Sequence, residues 1–174
     1  YNCGVVWNEC RRTFSPNLLE MSKEIKIGYR ILKIHTKSFS VKDIPEEQFN
    51  SLFNNGNSIL NIGSNINFDK DKSTITIDIQ TSLTKKGGNK QIVSHSGRTV
   101  FLINELKKLF NSKENSYDLP NNFLLQLLGI SFSHSRALLS TELQSTAYAD
   151  KFILPVVNPS ILLPKNLQQP KREK

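Results

Sequence analysis

Between Thr74 and Thr84 the chain alternates strictly, with Ile75, Ile77, Ile79, Thr81 and Leu83 on one side and Thr76, Asp78, Gln80 and Ser82 on the other. Only a β-strand, whose side chains point to opposite faces in turn, gathers the apolar set on one surface. One face is therefore buried and the other wet. The Lys85-Lys86-Gly87-Gly88-Asn89 run reads as a turn, and Lys90 to Ile103 as the returning strand of an antiparallel pair. A sheet with one solvated face must cover the other with helices or with a second subunit.

Two more strands precede that pair. Ile27 to Val41 alternates through Ile27, Tyr29 and Ile31, then through Ile34, Thr36 and Ser38, while Ser58 to Phe68 carries Ile59, Leu60, Ile62, Ile66 and Phe68, with Gly63 as a candidate bulge. Residues 43–57, holding Pro45 and an Asn-Asn-Gly-Asn cluster, read as a crossing loop with one helical turn that sets Phe49 and Phe53 on one side. After the strands, Asn104 caps a short helix to Phe110, and a polar loop leads to a main helix from Phe123 to about Ala147. Leu124, Leu127, Leu128, Leu138, Leu139 and Leu143 keep helical spacing, and Gly129 marks a place where that helix could divide. Phe152 to Asn158, with Pro155 and Pro159, reads as an extended apolar segment. The expected fold class is α+β, a four-stranded antiparallel sheet with C-terminal helices, assembled as an oligomer.

A length of 174 residues with 37% hydrophobic content, including ten Phe, suits one packed domain and excludes global disorder. The longest apolar run, Phe123 to Ile130, contains Gln126 and is far short of the roughly 20 residues a membrane span needs. No secretory leader pattern opens the chain, so the cytoplasm is the expected compartment. Met21 opens a run that looks like an ordinary protein start. Residues 1–20 are therefore expected to be an upstream extension or expression remnant outside the fold, a hypothesis that a native product beginning before Met21, seen by intact mass, would refute. Residues 21–163 form the expected domain, and 164–174 a basic, solvated tail. Cys3 and Cys10 lack zinc spacing and read as free thiols, with one disulfide as the alternative in an oxidising compartment.

The net charge is 23 minus 15, or +8, and residues 165–174 contribute +3 of it through Lys165, Lys171, Arg172 and Lys174 against Glu173. Basic balance attracts anions weakly, yet no aromatic–basic interleaving, helix pair or zinc finger accompanies it, so specific nucleic-acid recognition is not expected. His95 sits between Ser94 and Ser96, and His134 between Ser133 and Ser135. Neighbours in a strand face opposite ways, so Ser94 and His95 cannot act as nucleophile and base. His134 with Asp150 or Glu142 is a conceivable pair, but no nucleophile elbow, phosphate loop or His-Glu metal motif stands beside it. No catalytic residue, cofactor or metal is expected, and no enzyme.

The order of four strands, then helices, then an apolar Pro-containing end resembles that of the SecB-like protein-export chaperone family. Ile31 to Val41 (ILKIHTKSFSV) is similar to that family's first-strand signature. Leu128 to Leu162 resembles its helix entry, Arg-bearing helix, small-residue loop and Leu-Pro-x-x-Asn segment, here Leu154, Pro155 and Asn158. With Ser94 to Ile103, the similarity covers most of residues 27–163. The resemblance implies a homo-oligomer, a dimer or dimer of dimers, that holds unfolded polypeptides in apolar grooves without nucleotide, and some relatives protect aggregation-prone antitoxins. It also sets a difference, because export members of the family are acidic toward the translocase motor whereas this chain is +8. Docking on that motor is not expected.

A holdase needs accessible apolar area, with each buried client side chain worth roughly 1.5–3 kcal/mol. Candidate client-binding residues are Ile44, Phe49, Phe53 and Ile59 of the crossing loop and its exit, and Phe123, Leu124, Leu127 and Phe132 of the helix flank. Candidate oligomer contacts are Ile75, Ile77 and Ile79 of the alternating strand and Leu138, Leu139 and Leu143 of the helix. Burial in a subunit core is the competing role for each of them. The competing function is a basic adaptor that binds a folded protein or nucleic acid.

Overall fold

The computed structural model describes residues 8–10, 27–45, 48, 52–53, 57–88, 91–112 and 116–164. Five strands form one antiparallel sheet: β1 (Asn8–Cys10), β2 (Ile27–Val41), β3 (Ser58–Asp69), β4 (Thr74–Lys85) and β5 (Gln91–Ile103). Their spatial order is β1-β2-β5-β4-β3. β3, β4 and β5 follow one another as hairpins, and β2 lies beside the last of them, which is a Greek-key arrangement. Residues 42–57 must therefore carry the chain from one side of the sheet to the other, about 14 Å at the usual strand spacing. β1 is three residues long and pairs only with Ile27, Gly28 and Tyr29, so the expected four strands carry the sheet and a short fifth piece extends it.

The alternation is realised as rows across the sheet. On one face Phe68, Ile75, Phe101 and Ile31 stand side by side, followed by Ile66, Ile77, Thr99 and Ile34, and further along by Leu60, Leu83, Val93 and Val41. The reverse face sets Asn65, Asp78, Arg98 and His35 in line, then Gly63, Gln80, Ser96 and Ser38. Gly63 sits in an unbroken β3–β4 register, so it is no bulge. The irregularities lie in β2, between Ile31 and Lys33 and between Thr36 and Ser38, and at Leu83/Thr84 of β4.

One helix, α1 (Asn121–Leu143), covers the apolar face, lying against β5, β2 and β4. It runs unbroken through Gly129, where the missing Cβ lets Pro159 approach, since a methyl there would meet Pro159 Cγ at 3.3 Å. The short helix expected at Asn104 is instead a 3-10 turn, Leu106–Leu109, because Glu105 takes a left-handed φ of 60° that no α-helix continues. α1 closes on the sheet most tightly at Gly97, where a Cβ would lie 2.8 Å from Ser135 Oγ and 3.1 Å from Ser135 Cα. Only glycine permits that approach. No helix among the described residues is long and apolar enough to cross a membrane.

Beyond α1 the chain turns back and lies extended over residues 152–158, ending in a 3-10 turn at Pro159–Leu162. Phe152, Leu154 and Leu162 point inward, and Arg136 Nε of α1 donates to the Leu154 carbonyl at 2.9 Å. The Ser64 hydroxyl of β3 donates to the Leu162 carbonyl, so this strap occupies the β3 side of α1. Tyr148 ties the strap's origin to the end of β2 by donating its hydroxyl to the Lys42 carbonyl at 2.6 Å. Burial, with Asp43 nearby, pushes the Tyr148 phenol up to about 12.

Candidate functional site

The strap exposes apolar side chains because a single segment laid on the core, extended and then wound into a 3-10 turn, can insert only part of its apolar set. With Phe152, Leu154 and Leu162 inserted, Ile153, Val156 and Ile161 are left 72%, 79% and 66% exposed. The strap cannot roll these residues inward, since Arg136 and Ser64 hold its carbonyls. Between it and α1 runs an open cleft of about 310 Å³, walled by Arg136, Leu139, Phe152 and Leu154 among others. A flexible apolar partner would find here methyl-rich side chains beside an anchored backbone.

A second apolar area lies on β2, where Ile31, Leu32 and Ile34 are exposed, and a single residue, Ile59, stands out at the start of β3. Ile31 and Ile34 share the helix-side face with Phe101 and Thr99, but α1 does not reach far enough to cover them. Leu32 is the extra residue of the bulge between Ile31 and Lys33.

Of the residues expected to meet a client, Ile59 is exposed, while Ile44 and Phe53 are half-buried against the core. The Phe53 ring sits 5.9 Å from that of Phe152, so the crossing loop leans on the base of the strap. Phe49 lies outside the described residues. Phe123, Leu124, Leu127 and Phe132 are not a flank at all; they form the underside of α1 and are no more than 5% exposed. The cause is geometric, because a helix laid over a sheet must spend its most apolar stripe on that sheet.

The expected oligomer contacts move inward in the same way. Ile75, Ile77 and Ile79 are fully buried beneath α1, since β4 is an inner strand whose backbone is already paired on both sides. Leu139 and Leu143 are also core, which leaves only Leu138 half-accessible.

Ile153, Val156 and Ile161 were missed by reading the sequence. A signal was available for Ile153 alone, because alternation along an extended segment turns it away from its neighbours Phe152 and Leu154; Val156 and Ile161 do not follow that period.

Two of the three histidines, His95 and His134, occupy the seam between sheet and helix. His95 Nδ1 is 3.5 Å from Ser135 Oγ, and His134 Nδ1 is 3.2 Å from Thr99 Oγ1. His95 and Ser135 are each 1% exposed, so this nearest serine–histidine contact is sealed from a substrate in solution. Burial lowers the pKa of both histidines, although Glu142 pulls that of His95 the other way. Among the described residues, no three His, Cys, Asp or Glu side chains gather at metal-binding range.

The open face is cationic. Arg98 holds Asp78 through two bonds of 2.6 and 2.8 Å, and Lys37 adds a third at 3.1 Å. Those bonds, Arg98 first, keep the Asp78 carboxyl below its ordinary range despite its burial. Arg30 and Lys33 stand exposed on the same face, and His35 lies beside Arg98. Burial, then Lys33 and Arg98, depress the His35 pKa, while Asp78 pulls it the other way.

No protein-family model matches the chain, and no curated protein matches it.

Proposed function

We propose that this chain is an ATP-independent holdase of SecB-like type that shelters unfolded or precursor polypeptides on accessible apolar side chains. The observation that carries the reading is the strap, three of whose large aliphatic residues, Ile153, Val156 and Ile161, stay at least 66% exposed on a backbone anchored at both ends. Apolar area held open in this manner binds many sequences with little selectivity, because burial is non-directional and scales with area. The order of four long strands, one helix and an extended Leu154-Pro155-x-x-Asn158 segment supports the family resemblance. A homo-oligomer, dimer or dimer of dimers, belongs to the same reading. Its self-contact fits the β3 edge, which is uncharged from Ser58 to Phe68 and regular in register. The mechanism calls on no nucleotide, cofactor or catalytic group.

The test is aggregation of a reduced model client followed by light scattering, without ATP and across a range of salt. The wild type should suppress aggregation at every salt concentration, and Ile153→Ser/Val156→Ser/Ile161→Ser should lose most of that capacity while keeping its fold by circular dichroism. Equal suppression by wild type and triple variant would remove the strap from the account. Client binding that falls steeply with salt would instead favour the basic adaptor.

A further inference from the structure

The outer strand β2 carries two unlike surfaces along one open edge. β1 pairs only with Ile27–Tyr29, and among the described residues nothing pairs with the outer side of Arg30–Val41. On the helix side of that edge stand Ile31 and Ile34, 38% and 42% exposed. On the reverse side stand Arg30 and Lys33, exposed, with Lys37 and Arg98 behind them. Among the described side chains, the carboxylate on that side, Asp78, is already engaged by Arg98 and Lys37.

An extended segment added to an open edge sends alternate side chains to the two faces of the sheet. Resting on the holdase reading above, we propose that β2 captures client segments as an added strand and selects those that alternate apolar with acidic residues. The apolar set would extend the Ile31/Ile34 row, and the acidic set would meet Arg30 and Lys33. Opposite charges on neighbouring strands attract and like charges repel.

That rule argues against a second copy at this place. Two β2 strands related by a two-fold axis would bring the basic row of Arg30, Lys33 and Lys37 alongside its own copy. Lysines and bulges on an outer strand ordinarily guard it against indiscriminate pairing. β2 has both, with irregularities at Ile31/Lys33 and Thr36/Ser38. An acidic strand is the partner such a guard admits. The regular stretch between the bulges is short, so recognition is local and the captured segment need be only a few residues.

The experiment uses labelled peptides of about ten residues, a typical strand length, and fluorescence anisotropy with the full chain. One peptide alternates Glu with Ile, a second alternates Lys with Ile, and a third holds the residues of the first with all its Glu at one end. Wild type should bind the first at least about tenfold more tightly than either of the others, and Arg30→Glu/Lys33→Glu should reverse the preference toward the Lys peptide. Equal binding of the first and third peptides would overturn strand addition in favour of plain charge attraction. So would displacement of the peptide by a single-stranded oligonucleotide of equal charge, which would mark a phosphate site. A wild-type dimer that the double variant abolishes would overturn the proposal by assigning the edge to a second copy. If no peptide binds while client aggregation is still suppressed, the inference fails and the holdase reading stands; if suppression also fails, both fall.

Discussion

The two faces of the sheet are stabilised by opposite means. Toward α1 the seam is apolar and close, with Ile75, Ile77, Ile79 and Phe101 fully buried and Gly97 in contact with Ser135. Facing outward, Asp78 is equally hidden, at 3% exposure, but by the side chains of Arg98 and Lys37 instead of by a second layer. One face depends on shape, the other on charge. A small methyl should therefore damage the first, and a lost carboxylate the second.

The largest effect should come from Gly97→Ala. Its new Cβ would collide with Ser135, backbone included, and α1 would have to lift from β5. Overpacking of that kind costs about 1–3 kcal/mol, and the contact with backbone atoms places this case at the upper end, measurable by denaturant unfolding. A loss below about 0.5 kcal/mol would show that the seam is looser than the geometry says.

On the reverse face, Asp78→Asn removes the charge that Arg98 and Lys37 share. Bonds to charged groups are worth about 1.5–3 kcal/mol when buried, but both cationic side chains are partly exposed, so a loss of about 1–2 kcal/mol is expected. A neutral result would mean that solvent already screens the cluster.

Acid should separate the histidines from Asp78 by pH. His95 and His134 have lowered pKa values, so the folded state binds fewer protons than the unfolded one and stability starts to fall as pH drops below the ordinary histidine value of 6.5. Asp78 is also lowered, but its contribution is fully present above the ordinary carboxylate value of 3.8 and fades only below it. Thermal midpoints measured against pH should show two descents, and Asp78→Asn should weaken the lower, to which Asp69 also contributes, while sparing the part of the upper that His95 and His134 carry. A single descent common to both proteins would contradict the assignment.

The smallest effect belongs to a contact outside both faces. Tyr148→Phe removes the hydroxyl that reaches the Lys42 carbonyl, at a cost of about 1 kcal/mol by thermal unfolding. It should leave the pH profile of the two faces unchanged.

The strands were legible in the sequence because their period is two. Ile27–Val41 is observed with the bounds the alternation indicates, and β3 and β4 extend only to Asp69 and Lys85. The order of strands was not legible, since nothing in the local pattern of β2 says that it pairs with β5. That order turns β4 into an inner strand and leaves β3, and the part of β2 beyond β1, at the edges among the described residues. Phe123, Leu127 and Phe132 look the same in a sequence whether a helix faces a sheet or a client. Here the packing of α1 directly on the sheet sends them inward. Ile153 remains outside because alternation commits its neighbours Phe152 and Leu154 to the interior, whereas Val156 and Ile161 are exposed without following that alternation.

The most direct test of the holdase account is the light-scattering mass of the purified chain, alone and after mixing with a reduced, unfolded protein. An oligomer whose mass rises on mixing, without nucleotide, is the predicted result. A monomer of 19.8 kDa that gains no mass would contradict it.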